Sequence, residues 1–154
     1  MLTEEENKEI TVELEHCERP EAASVEALRI VQKHRRWVSD ESISNIAPLL
    51  NMTPAELDAV ATFYNFIYRR PVGRHVVQIC DSMVCWTMGY NPLLELLSRK
   101  LGIGPGSTTL DNRFTLLPIS CLGACDRAPA LLVDEDLHGP LTPEMLDGIL
   151  ERYQ

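Results

Sequence analysis

Four of the five cysteines fall in two tight pairs inside Ile79–Pro129. Cys80 and Cys85 enclose Asp81-Ser82-Met83-Val84, and Cys121 and Cys125 enclose Leu122-Gly123-Ala124. Four thiolates suit a [2Fe–2S] cluster, a [4Fe–4S] cluster or structural zinc. Zinc ribbons favour Cys-x-x-Cys in both halves, and neither pair has that spacing. A thioredoxin-type redox dithiol needs the same missing step. Spacing therefore favours a two-iron cluster and leaves zinc open.

The oxidised four-thiolate two-iron site carries roughly two negative charges, and reduction adds a third. Holding that electron requires N–H and O–H groups aimed at sulfur. Ser82, Thr87 and Ser120 are candidate donors, and Gly123 permits a tight turn beside Cys121. Arg127, next to Asp126, either offsets site charge or is a solvated loop charge. Met83 and Trp86 are candidates to shield the site from water. Cys17 lies outside both pairs, on a helix face, and reads as packing. His16, His34, His75 and His138 form no metal-spaced group. The sequence has no G-x-G-x-x-G and no phosphate loop, so it does not itself read as an NADH or flavin binder. Gly102–Gly106 contains proline after a helix and reads as a loop.

The elements that must position the thiols follow from periodicity. The chain has 154 residues, 45% of them hydrophobic, and a formal net charge of −9 spread over both halves. An acidic, unclustered surface argues against nucleic acid and anionic membrane surfaces. No apolar run suffices to span a bilayer, and the N-terminus resembles no signal or transit peptide, so a cytoplasmic chain with reduced thiols is expected. Residues 1–72 read as a small helical bundle. Ile10, Leu14 and Cys17 share one helix face, with Pro20 beyond it. Ala23, Ala27, Ile30 and Val31 mark a second helix running to about Trp37. Ser39 or Asp40 caps a third, with Pro48 late in it. Thr53-Pro54-Ala55-Glu56 starts a fourth. Phe63, Tyr64, Phe66 and Tyr68 follow, read first as packing between domains and second as a partner surface.

Residues 73–154 alternate. Arg74–Cys80 and Arg113–Ile119 read as strands, joined through a helix carrying Leu93, Leu96, Leu97 and Leu101. That helix starts either at Asn91-Pro92 or soon after Cys85. Ala130–Val133 is a third strand, Asp134–Asp136 a turn, and His138-Gly139 a short fourth strand. Thr142-Pro143-Glu144 opens a last helix. A β-α-β-β-β-α order gives a mixed sheet covered by helices, an α+β fold overall. The crossover places Cys80 and Cys121 at the C-terminal ends of parallel strands, on one sheet edge.

Asp111–Pro129, DNRFTLLPISCLGACDRAP, resembles the D-x2-F-[ST]-x5-C-L-G-x-C-x2-[GA]-P signature of the small two-iron subunit of NADH:quinone oxidoreductase, respiratory complex I. QICDSMVC and VATFYNFIYRRPVGRH are also similar to this family, and the likeness runs from about Glu18 to Tyr153. It is nearest to the bacterial E subunit, the 24-kDa type. The resemblance implies a thioredoxin-like domain after the bundle, with one [2Fe–2S] cluster on Cys80, Cys85, Cys121 and Cys125. It implies an electron carrier without its own substrate site, beside a subunit that binds FMN and NADH. Its setting would be the peripheral arm at the cytoplasmic face of the inner membrane, with no direct membrane insertion. Related subunits of NAD-linked hydrogenases and formate dehydrogenases share the pattern, and a zinc-stabilised interaction domain is the further alternative.

Overall fold

Thr3, Ser39 and Thr53 begin helices by the same chemistry. Each has an extended backbone and a side-chain oxygen that accepts the N–H three residues on. They start α1 (Glu4–Glu15), α3 (Asp40–Ile46) and α4 (Pro54–Phe63). Thr3 and Thr53 complete capping boxes with Glu6 and Glu56. Between α1 and α3, a single 3-10 turn at Pro20–Ala23 leads into α2 (Ser24–Arg35). A second such turn, Ala47–Leu50, tightens the end of α3 around Pro48, as proline inside a helix requires. The computed structural model describes residues 1–154, and the chain divides into two compact units, Met1–Pro71 and Val72–Gln154.

In the first unit Ile10, Leu28, Ile46, Leu50 and Leu57 are fully buried. Each such side chain contributes roughly 1.5–3 kcal/mol of transfer free energy, an upper figure before chain entropy. α2 stops at Arg35, short of the expected Trp37, because Arg36 takes a left-handed conformation (φ 72°). α1 likewise ends before Cys17, which is half-buried against the same core. Glu6 is fully buried and grips Arg35 through both carboxylate oxygens, at 2.6 and 2.7 Å. The segment after α4 is strapped back by Gln32, which bonds Phe66 O and Tyr68 N. Phe63, Tyr64 and Phe66 nevertheless stay exposed, Phe63 by 78%. Phe63 and Tyr64 meet edge to face, with ring centroids 5.3 Å apart.

The second unit is a four-stranded mixed sheet in the order β2-β1-β3-β4. β1 (His75–Cys80) pairs in parallel with β2 (Phe114–Ile119), from His75 opposite Phe114 to Cys80 opposite Ile119. β3 (Leu131–Val133) lies antiparallel on the other side of β1, and β4 (Asp136–His138) pairs with β3. The turn joining them is Asp134-Glu135, with Asp134 at φ 53°, so β4 begins two residues earlier than expected. The crossover contains two helices, α5 (Met83–Thr87) and α6 (Tyr90–Leu101). Neither expected start of the long helix is observed: Gly89 (φ 116°) separates the two, leaving Pro92 in the first turn of α6. α7 (Met145–Leu150) starts after an initial turn at Thr142-Pro143 rather than at it. Val77, Ile79, Leu93, Leu97, Leu116, Leu131, Leu146 and Ile149 form one core. Strand alternation gives Cys80 the face opposite Ile79, and it belongs to a separate small cluster. No helix of the chain is long and apolar enough to cross a membrane.

Candidate metal centre

Cys80 is the last residue of β1, and Cys121 comes two residues after β2 ends. Parallel pairing therefore brings both loops to one sheet edge, as the strand order predicts. Cys85 sits in the middle of α5, where its neighbours face outward and it alone is buried. Cys125 opens a one-turn 3-10 helix, Cys125–Arg127. Cys80 and Cys85 are buried with Ala124, Ala128 and Ala130, and Leu122 packs against them. Residues 122–130 thus fold over the first pair. Cys121 and Cys125 stay exposed. The thiols form an inner pair and an outer pair.

The inner pair is electrostatically unequal. Burial raises the Cys80 thiol, but the Ser82 hydroxyl and the N–H groups of Ser82 and Leu122 outweigh it and lower the thiol below its usual range. Ser82 Oγ lies 3.3 Å from Cys80 Sγ, and with sulfur ionised the hydroxyl is the donor. Burial, with Cys80 beside it, pushes Cys85 up to about 11, opposed only by an N–H from Ala130. In the outer pair, Gly123 turns at φ 72° and its N–H points at Cys121 Sγ, 3.3 Å away. Gly123 therefore acts as expected.

The other candidates divide. Thr87 donates its hydroxyl to Met83 O at 2.8 Å and is not a sulfur donor. Ser120 is exposed. Arg127 is also exposed, 4.0 Å from Asp126, which fits a solvated loop charge. Met83 and Trp86 do not shield the thiols: they are 80% and 59% exposed, because burying Cys85 turns the rest of α5 outward. His34, His75 and His138 bond to Glu9, Asp134 and Tyr153 respectively. Sequence reasoning missed Leu122 and Ala130, whose contribution is backbone N–H and leaves no mark on residue type.

Thiolates backed by N–H and O–H donors are what an anionic iron–sulfur group requires, so these residues fit one. Nowhere in the chain do three His, Cys, Asp or Glu side chains gather tightly enough for one ion. Cys80, Cys85, Cys121 and Cys125 share one sheet edge without forming such a group.

The mixed sheet, with its crossover helices, carries two thiols after each of two adjacent parallel strands, at one edge. The chain belongs to the thioredoxin-like [2Fe–2S] ferredoxin family, whose profile matches residues 10–154. It is 49% identical over 153 residues to the E subunit of NADH-quinone oxidoreductase from Pseudomonas aeruginosa, covering 99% of this chain and 92% of that one. Against the same subunit of Escherichia coli K12 the identity is 51%, with the same coverage. Among solved structures it is similar to an NAD+-reducing [NiFe]-hydrogenase in the air-oxidised state. That match has 26% identity and a TM-score of 0.71, and spans 86% of this chain and 23% of the hydrogenase chain.

Proposed function

We propose that this chain is the two-iron electron-transfer subunit of an NADH:quinone oxidoreductase. Cys80, Cys85, Cys121 and Cys125 hold one [2Fe–2S] cluster, which when bound supplies one-electron redox chemistry. Its exchange partner is FMN on the neighbouring NADH-binding subunit, within the peripheral arm at the cytoplasmic face of the inner membrane. The observation that carries this reading is the convergence of both cysteine pairs on one sheet edge, in a chain similar over almost its whole length to the E subunits of such oxidoreductases. The residues' own work is to exclude water from the inner pair and to aim donors at sulfur.

The test is direct. The purified chain should be coloured, contain iron and sulfide in equal amounts, and give an EPR signal after dithionite reduction. Cys121→Ser should abolish that signal, whereas Cys17→Ser, outside the site, should keep it. A colourless, zinc-containing protein without the signal overturns the reading. The likeness to the NAD+-reducing hydrogenase supports a second host, the diaphorase module of such an enzyme. Co-purifying subunits distinguish the two hosts.

A further inference from the structure

Thr3, Ser39, Thr53 and Ser82 all stand at helix N-cap positions with extended backbones. The first three give their side-chain oxygen to their own helix. Ser82, at φ −71° and ψ 164°, does not. Its hydroxyl turns to the Cys80 sulfur instead, 3.3 Å away. Ser82 therefore forgoes the stabilisation that an N-cap serine ordinarily supplies to its helix.

We propose that Ser82 is a positioning residue for electron transfer: its hydroxyl donates to the Cys80 sulfur and raises the electron affinity of the group that Cys80 holds. This rests on the proposed role of Cys80 as a cluster ligand. Reduction places additional negative charge partly on the ligating sulfurs. A donor aimed at such a sulfur stabilises the more negative state more strongly. Cys80 is 3% exposed, so water competes little and the surrounding low dielectric strengthens the bond. The backbone N–H groups of Ser82 and Leu122 also favour negative charge on this sulfur, but no change of side chain removes them. The hydroxyl is the donor of this set that a change of side chain removes. Thr87, the nearby hydroxyl residue on α5, is committed to Met83 O.

The chain with its cluster is compared with Ser82→Ala and Ser82→Thr by EPR-monitored redox titration and resonance Raman spectroscopy. Ser82→Ala should lower the electron affinity about tenfold, a shift of about 59 mV to more negative potential for a one-electron couple. Its iron–thiolate stretching bands should move upward. Ser82→Thr keeps the hydroxyl and should keep both the potential and the bands. A Ser82→Ala chain with unchanged potential and bands overturns the proposal. Where alanine costs the cluster itself, Ser82→Thr is compared with the isosteric Ser82→Val, and a potential common to both overturns it. A wild-type chain lacking the two-iron signal overturns the ligand assignment instead, so the two failures are distinct.

Discussion

Gly139, just past β4, lies directly against the carbonyl oxygen of Arg127 in the second cysteine loop. A Cβ there would also come within 3.2 Å of Arg127 Cβ and 3.3 Å of Ala130 Cβ. Leu141 N, two residues on, bonds Pro129 O at 2.9 Å. The segment after β4 thus braces the turn that carries Cys125. Gly139→Ala should push that turn away at a cost of about 1–3 kcal/mol. Thermal denaturation should show a lower melting temperature, and iron analysis a lower metal content. Gly148→Ala is the control: nothing lies within 4 Å of its added methyl, and removing a helical glycine should stabilise by about 0.5–1 kcal/mol.

The buried carboxylate of Glu6 gives the first unit a pH dependence. Arg35, the largest cause, and the Thr3 N–H hold Glu6 below the usual carboxylate range despite its burial. A depressed folded value means the contribution is full above the ordinary carboxylate value and disappears as pH falls through the lowered one. Acid unfolding monitored by circular dichroism should therefore show a step that Glu6→Gln removes. At neutral pH, Glu6→Gln should cost about 2 kcal/mol. That is below the usual figure for breaking a buried pair, since Arg35 is partly exposed and finds water.

Thiol reactivity should report the inner and outer pairs. In the metal-free chain, iodoacetamide at mild alkaline pH should modify Cys121 and Cys125 first, because they are exposed. Cys85 should react last, being buried and pushed up to about 11, where little thiolate is present. Raising the pH toward that value should speed its labelling. Peptide mass spectrometry reads the order. Loading with iron and sulfide should protect all four while leaving Cys17 at its former rate; labelling of Cys121 in the loaded chain would exclude it as a ligand.

Arg113 closes the C-terminal end of α7. Its Nε donates to Tyr153 O at 2.6 Å and its Nη2 to Leu150 O at 3.0 Å, while its guanidinium lies 4.7 Å from the centre of the Phe114 ring. A cation at a helix C-terminus also meets the negative end of the helix dipole. Arg113→Ala should destabilise the second unit by about 1–2 kcal/mol. Hydrogen exchange should quicken from Ile149 to Tyr153 and stay unchanged in β1.

The strands that carry the cysteines were more legible in the sequence than the segments around them. The β-branched run ending at Cys80 and the strand ending at Ile119 are local signals, and the crossover rule alone puts their ends together. Thr53-Pro54-Ala55-Glu56 states its own helix start. A second such signal is hidden at the N-terminus, because Thr3 and Glu6 form the same box within an acidic run that reads only as a charged first turn. α5 has five residues and shows no period, so its separation from α6 could not be read. The left-handed Arg36 and Asp134 carry no glycine to announce them. The Glu6–Arg35 pair joins residues 29 apart, and nothing in either neighbourhood specifies the other. The outward turn of Trp86 follows from the burial of Cys85, a tertiary fact that outweighs the tendency of large apolar residues to lie inside.

The parallel register of β1 and β2 also orders events in time. A nascent chain that has only just emerged past Cys85 owns one pair of sulfurs and has no edge on which to present them. β2 must be synthesised, follow the α5–α6 crossover and dock in register before Cys121 stands near Cys80. With the four cysteines as the proposed ligands, loading of inorganic iron and sulfide would follow docking, and a ribosome-stalled fragment ending before Cys121 should remain unloaded even with a cluster donor in excess.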